Sequence, residues 1–437
     1  MKRFPGSLLL CAVLSASLFA STAADPSLTI DQAIHLAIQN NLNSKLAKAG
    51  SQEARGRALQ AAAGLLPKIS ASVVQARIFK ENLEAQGFAP NPVIDPFLGP
   101  YNAFDARLQL VQNLLDLNAY WSARAGRSGR KIAVLQEDLA REQVAAAAAL
   151  AYLEAQRTQR SVAAAQADVA LSESLLKLAR DQHAAGVSTG IDVARAETNH
   201  AQENLRLIRA RVSANEAAVR LKRIAGLPLD QPLALPDIPR QELPGLPPAE
   251  KALGLANHDR FELQIARESL QAAQETLRAD QAENLPSLTA LADYGHSGTT
   301  IDNTARTGSI SGRLDLPIFS GGATHGRVVE QTARRTEAED RYRDVLAQVE
   351  EDVRLSLQTL TAEIEETRTA DQAVDLSQKE LKMAKDRFAA GVGDNIQVLN
   401  AQTALARALD DQVDAFARYD TARVNLAAAL GHMQEFR

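Results

Sequence analysis

The chain has 437 residues, which at ordinary domain sizes would make two or three globular units, yet only 4% are aromatic and 80 are alanine. That balance excludes large aromatic-filled cores and favours long, closely packed helices; with 23% charged and 46% apolar residues it also excludes a disordered chain. The net charge of −5, with acids and bases interspersed, offers no basic stripe for nucleic acid.

The first elements set the compartment. Lys2 and Arg3 precede the apolar run Leu8 to Leu14, and Ser21-Thr22-Ala23-Ala24 follows. This is the pattern of a secretory signal over residues 1–24, cleaved after Ala23 or Ala24. Its removal takes the net charge from −5 to −7. The run is too short for an anchor helix, and no other stretch approaches 18 apolar residues. The only cysteine, Cys11, leaves with the signal. It follows Leu8-Leu9-Leu10 rather than a small residue, so the mature chain is expected to be unlipidated, without disulfides, thiolate metal sites or a cysteine nucleophile.

The remainder is a tandem duplication. Leu176-Lys177-Leu178-Ala179-Arg180-Asp181-Gln182-His183-Ala184-Ala185-Gly186-Val187 recurs as Leu381-Lys382-Met383-Ala384-Lys385-Asp386-Arg387-Phe388-Ala389-Ala390-Gly391-Val392, an offset of 205. The match runs without a gap to Gly226 and Gly431, with 18 identities over positions 176 to 226, more than alanine-rich coincidence would give. Upstream, Leu36-Ala37 to Leu66-Pro67 matches Leu255-Ala256 to Leu285-Pro286 at an offset of 219, so a loop between the two matches is longer in the first copy. The first repeat covers residues 25–226 and the second 251–437. The proline-rich stretch 227–250 joins them.

Each copy reads as helix, hairpin, very long helix, return helix. Asp31 to Gly64 is helix-forming and ends at the Pro67 breaker. The first hairpin is expected over 68–110, with strands Lys68 to Phe79 and Ala103 to Leu110. In the latter, Phe104, Ala106, Leu108 and Leu110 alternate with Asp105, Arg107 and Gln109. The second hairpin, 287–316, alternates Ile310, Gly312, Leu314 and Leu316 with Ser309, Ser311, Arg313 and Asp315. Period 2 with charges on one face fits strands that meet lipid outside and water inside; Asp105, Arg107, Gln109, Arg313 and Asp315 then face the lumen, and Tyr101, Phe104 and Tyr294 could anchor at the interfaces. A small soluble sheet capping a helical body has the same pattern.

Long helices follow at 117–185 and 323–390, proline-free and each roughly 100 Å at 1.5 Å per residue. Apolar positions in the second take 3/4 spacing, Leu346, Val349, Val353, Leu357, Leu360, Ile364. The return helices, 191–225 and 395–430, are half as long. Two shorter helices stacked end to end are therefore expected beside each long one. Counting strands then forces a partner. Four strands per chain cannot close a membrane barrel, since the smallest bacterial ones have about eight and open edges cannot sit in lipid. A dimer would supply eight strands and a trimer twelve.

The signal segment, the duplicated unit, Leu66-Pro67 and Leu285-Pro286 before the hairpins, Leu316-Pro317-Ile318-Phe319-Ser320-Gly321-Gly322 after the second, and the Ala-Ala-Gly-Val turns together resemble the TolC family of outer-membrane efflux proteins. The resemblance covers essentially the whole mature chain. It implies a mainly α fold in which tandem-duplicated long helical hairpins form an α-barrel across the periplasm, and four strands per chain enter a 12-stranded β-barrel made by a homotrimer in the outer-membrane lipid. It further implies a passive exit duct of a tripartite efflux or secretion system, docked to a periplasmic adaptor (membrane fusion protein) and an inner-membrane RND or ABC-type pump. Asn113 stands where the second copy has Pro317, a local difference in the strand-to-helix elbow.

Candidate functional residues gather at the two Ala-Ala-Gly-Val turns. Gly186 and Gly391 are positioned as left-handed helix-stop glycines, and Thr189-Gly190-Ile191-Asp192 and Asp394-Asn395-Ile396-Gln397 read as capping boxes. The resemblance makes these turns the periplasmic tip, with Gly186, Val187, Gly391 and Val392 contacting the adaptor. The gate candidates there are Asp192, Asp394, Gln397 and Asn400. Where the family has gating carboxylates in the second repeat this chain has Gln397 and Asn400, and its turn arginine is Gly393. Closure is then expected to use a hydrogen-bonded network of Asp192, Gln397 and Asn400 rather than an acidic ring, although Asp192 is equally a helix cap. No enzyme, cofactor or metal is expected: the histidines lack HxxxH or HExxH spacing, and Asp181-Gln182-His183 has no accompanying nucleophile. The other class of protein built from such helices is a periplasmic coiled-coil scaffold or adaptor, which has no use for four alternating strands.

Overall fold

The computed structural model describes residues 28–82, 84, 85, 87, 89, 95–236, 246–390, 392 and 395–433. The expected signal segment 1–24, Gly391 and Asp394 lie outside them. The element order is α1 (Ile30–Asn40), α2 (Leu42–Ala62), β1 (Lys68–Ile78), β2 (Glu81–Asn82), β3 (Phe97–Leu98), β4 (Tyr101–Leu115), α3 (Leu117–Ala184), α4 (Gly190–Ala225), α5 (Ala249–Asp259), α6 (Phe261–Ala282), β5 (Ser287–Thr300), β6 (Asn303–Asp315), α7 (Ala323–Ala389) and α8 (Asn395–Leu430), with a 3-10 turn at Ala63–Leu65. Among the described residues no helix is long and apolar enough to cross a membrane.

The helix expected over 31–64 is two helices. Asn41 takes an extended conformation, ends α1 and caps α2 by accepting the Asn43 N–H at 2.9 Å. Its repeat equivalent, Arg260, breaks α5 from α6 in the same way. Each break receives the end of a return helix. Asn40 and Asn41 donate to the carbonyls of Ala225 and Ile224, both at 3.4 Å. Arg260 donates to the Ala429 carbonyl at 3.3 Å and to Asp352 at 3.1 Å. At these junctions Gly226 (φ +70) and Gly431 (φ +82) leave their helices left-handed and lie directly against Asn40 and Asp259. The short helices thus stack end to end, α2 and α1 on α4, and α6 and α5 on α8.

The 68-residue α3 lies between these two columns, packed on α2, α1 and α4 on one side and on α6 and α8 on the other. The 67-residue α7 packs on α6, α5 and α8. The protomer is accordingly a wall of four helical columns with α7 at one edge and α2 and α4 at the other. Alanine explains the close spacing. Ala145, Ala148 and Ala149 of α3 are fully buried against Ile34 and Ala37 of α1 and Val424 of α8, and Ala252 and Ala256 of α5 meet Val349 and Val353 of α7. A small side chain lets two helix axes approach until backbone and Cβ atoms make the contact.

At one end the wall carries a four-stranded antiparallel sheet in the order β1-β4-β5-β6. The register sets Ile69 against Leu110, Leu108 against Tyr294, and Ala292 against Ile310. The strand expected to end at Leu110 continues to Leu115. Asn113, unlike Pro317, supplies a backbone N–H to a ladder, and its side chain donates to the Gly64 carbonyl at 2.9 Å and accepts from Thr289 Oγ1 at 3.2 Å. Beyond it Asp116 caps α3 through the Ala119 N–H at 2.9 Å. β1 stops at Ile78, one residue short of the expected Phe79; the connection 79–100 carries the small β2–β3 ladder, whereas β5 and β6 join through Ile301 and Asp302.

Candidate functional site

Because side chains alternate across a strand, the sheet has two faces of opposite chemistry. One carries Ile69, Val73, Leu108, Leu110, Tyr294, Ile310 and Leu314; Ile310 is 90% exposed and Ile69 72%. The other collects Ser70, Ser72, Asp105, Arg107, Gln109, Asp293 and Ser309. Arg107 holds Asp105 through a paired contact whose Nε arm is 2.7 Å, and it reaches Asp293 of β5 at 3.2 Å. Ser309 of β6 donates to the same Asp293. Asp105, Arg107 and Gln109 therefore share one polar surface. Arg313 and Asp315 lie on that face too, further toward the helices, opposite Thr289 and Ser287. Sequence reading missed Asp293, although Leu288, Ala290, Ala292 and Tyr294 alternate with Ser287, Thr289 and Asp293.

At the far end of the wall, α3 stops in a Schellman turn. Gly186 is left-handed (φ +74), its N–H donates to the His183 carbonyl at 3.0 Å, and the Val187 N–H reaches Gln182 at 2.9 Å. The Val392 N–H makes the equivalent bond to Arg387 at 3.1 Å. Val187 and Val392 project into solvent, 66% and 71% exposed. Asp192 accepts the Thr189 N–H at 3.0 Å and its hydroxyl at 2.7 Å. Those two bonds, the hydroxyl's first, hold its carboxyl below the usual carboxylate range. Gln397 and Asn400 stand exposed on α8. Asn400 lines a groove between α4 and α8 with Ile191, Arg195, Thr198 and Ile396. Asp181-Gln182-His183 builds the turn: Gln182 donates to the Phe388 carbonyl of the other repeat at 3.3 Å, and His183 Nδ1 lies 3.0 Å from the Ser188 carbonyl.

Between tip and sheet, Arg206 of α4 joins three helices. It donates to Asp168 of α3 at 3.0 Å, contacts Asp410 of α8, and is 3.6 Å from Glu203. Asn199 of α4 donates to Gln402 of α8 at 3.2 Å. Asp168 is only 4% exposed; burial pushes its carboxyl up to about 6, against the opposing pull of Arg206, with Glu203 and Asp410 adding to the rise. This cluster was not legible in the sequence, where each member is one more charge on a long helix. Among the described residues no group of three or more histidine, cysteine, aspartate or glutamate side chains converges as a metal site would.

Comparison with known proteins gives the same assignment from two directions. The chain is 27% identical over 350 residues to the alkaline protease secretion protein AprF of Pseudomonas aeruginosa, covering 77% of this chain and 71% of that one. It is 25% identical to the pyoverdine export outer membrane protein OpmQ of the same species over 92% of this chain and 85% of that one, and 23% identical to the outer membrane protein TolC of Escherichia coli over 76% and 70%. Its fold matches the outer membrane protein VceC of Vibrio cholerae with a TM-score of 0.81 over 92% of this chain and 96% of that one, at 22% identity. A family model described as outer membrane efflux protein matches residues 33–227 and 252–432, one match on each half of the chain. The chain thus belongs to the outer membrane efflux protein family and serves as an exit duct in the outer membrane.

Proposed function

We propose that three copies of the chain close a 12-stranded barrel in the outer membrane and a 12-column helical tunnel beneath it, through which cargo passes without chemical change. One observation carries this reading: a sheet with one apolar and one charged face has both edges unpaired, and it crowns a wall of helices that is open at both sides. β1 and β6 end the sheet, and lipid does not tolerate an unpaired edge. The wall's edges are apolar as well, with Leu355 and Leu376 of α7 53% and 65% exposed, and Leu46, Leu59 and Val212 of α2 and α4 55% to 64% exposed. Packing one edge against the other of the next copy removes both, and a barrel has no edges left. Asp105, Arg107, Gln109, Asp293, Arg313 and Asp315 then line water. A secretory signal over residues 1–24 delivers the chain to the periplasm.

The turns at the opposite end dock a periplasmic adaptor, with Gly186, Val187, Gly391 and Val392 as the contact, and the adaptor connects the duct to an inner-membrane RND or ABC-type pump. Val187 on its tight glycine turn and Val392 after α7, both exposed, are small apolar knobs for a partner helix. Relatives named for protease secretion and for pyoverdine export suit a conduit whose cargo is chosen upstream. Asp192, Asp394, Gln397 and Asn400 ring the aperture. Closure by such a network is weaker than closure by charged groups, so Asp192→Ala combined with Asn400→Ala should raise single-channel conductance in planar bilayers. Unchanged conductance would remove these residues from the gate.

A further inference from the structure

From the helical end the lipid-facing side of the sheet is apolar up to one row, and there it turns basic. His296 of β5 and Arg306 of β6 are directly opposite each other in the ladder, in line with Ala106 of β4 and Val73 of β1. They share a face with Leu108, Tyr294 and Ile310, and both are exposed. Among the described residues Arg306 makes no hydrogen bond or ion pair, while His296 Nδ1 lies 3.4 Å from the Thr304 hydroxyl, which leaves Nε2 for a ligand. No aspartate or glutamate stands at any position of this face from Ile69 to Arg77, Asn102 to Leu110, Leu288 to Gly298 or Thr304 to Leu314.

The row lies at a definite depth. Arg306 is ten residues from Leu316 at the helical end, about 33 Å along a strand and about 25 Å vertically at a tilt of ~40°, which is the height of a barrel's apolar band. Arg306 and His296 thus sit where hydrocarbon gives way to headgroups on the side away from the helices. Tyr294 lies in the row beneath them and Phe104 in the row above, as aromatic girdles do at an interface. Below Arg306 an apolar groove runs down the sheet, lined by Leu108, Leu110, Ala292, Tyr294 and Ile310, with Arg306 at its head. Gly308 takes the Tyr294 ring beside it, and Ala106 leaves the His296 side of the pair uncrowded.

We propose that this is a binding site for a phosphorylated glycolipid of the outer leaflet, with one acyl chain in the groove and a lipid A phosphate on Arg306 and His296. A guanidinium takes a phosphate through paired N–H donors, and the imidazole adds a third. The phosphates of the outer leaflet supply the complementary charge. The inference rests on the reading that the sheet spans the outer membrane with its hairpin turns outward.

The test is native mass spectrometry of the detergent-solubilised oligomer titrated with diphosphoryl lipid A, with fully dephosphorylated lipid A, and with inorganic phosphate as competitor. The wild-type protein should retain diphosphoryl lipid A, bind the dephosphorylated form about tenfold more weakly, and keep its adduct in inorganic phosphate. Arg306→Ala with His296→Ala should lose the preference, Arg306→Lys should retain most of it, and Arg313→Ala on the other face should bind as wild type. Equal binding of the two lipids by the wild type, equal affinity of the double variant, or displacement by free phosphate would each overturn the site. The starting material keeps the two readings apart: a chain absent from the outer membrane contradicts the duct, while an outer-membrane oligomer indifferent to the phosphates contradicts only this site.

Discussion

Gly226 shows how much of this fold is decided by single residues. Its left-handed conformation costs an L-residue about 1–2 kcal/mol, and a Cβ there would stand 2.4 Å from Asn40 Cβ. Gly226→Ala should therefore destabilise the chain by about 2–4 kcal/mol once the clash is added, seen as a lower melting temperature by circular dichroism; an unchanged melt would show that α1 and α4 are not rigidly stacked. Asp168 gives a residue-scale prediction of opposite sense. Its carboxyl titrates near 6 in the folded chain and near its ordinary 3.8 when unfolded, so between those values the folded state binds the extra proton. Its contribution to stability accordingly rises as pH falls from about 7 toward 4. The melting temperature of the wild type should gain on that of Asp168→Asn over this range, and parallel curves would show that burial does not control the group. Asp410 moves the same way, through burial first, with Arg206 opposing.

At the scale of elements, the two sheet faces make opposite demands on a substituted charge. Leu110→Arg puts a charge among Ile69, Ala292 and Ile310, about midway up the apolar band, and should cost about 2–4 kcal/mol if that face meets the middle of a bilayer. The outer-membrane yield of that variant should fall sharply. Ser72→Arg, opposite Arg107 on the polar face, should insert normally, and equal yields would mean the faces are misassigned. What the sequence showed at this scale follows from how local each signal is. The strands were readable because alternation is a two-residue pattern, and the long helices because neither proline nor a stop glycine interrupts them. The breaks in the short helices were not: Asn41 does offer a cap, but Arg260 is a good helix former, and only the arrival of Ala429 and Asp352 turns the chain there. The ionic cluster was hidden for the related reason that residues 168, 206 and 410 meet only after the two repeats fold together. The tip turns were legible through Gly186, Thr189 and Asp192, whose contacts lie within ten residues, while nothing local to Gln397 and Asn400 marks the gate role proposed for them.

The whole molecule is a surface with two edges, and duplication explains its form. Each repeat contributes one hairpin and two helical columns, and neither half encloses anything. Length and composition alone suggested compact domains; alanine in place of aromatics marks instead a wall in which helices about 100 Å long lie side by side. The same wall is too apolar at its edges and on its sheet to persist alone in water, and its sheet is too narrow to persist alone in lipid. The proposed closure by identical copies meets both demands. The most direct test is the mass and location of the native assembly: outer membranes are separated from the periplasmic fraction, and the protein is extracted in mild detergent and weighed by native mass spectrometry beside an unheated denaturing gel. A closed trimer should appear as a detergent-resistant complex of three chains in the outer membrane that dissociates on heating; a soluble periplasmic monomer would contradict the duct.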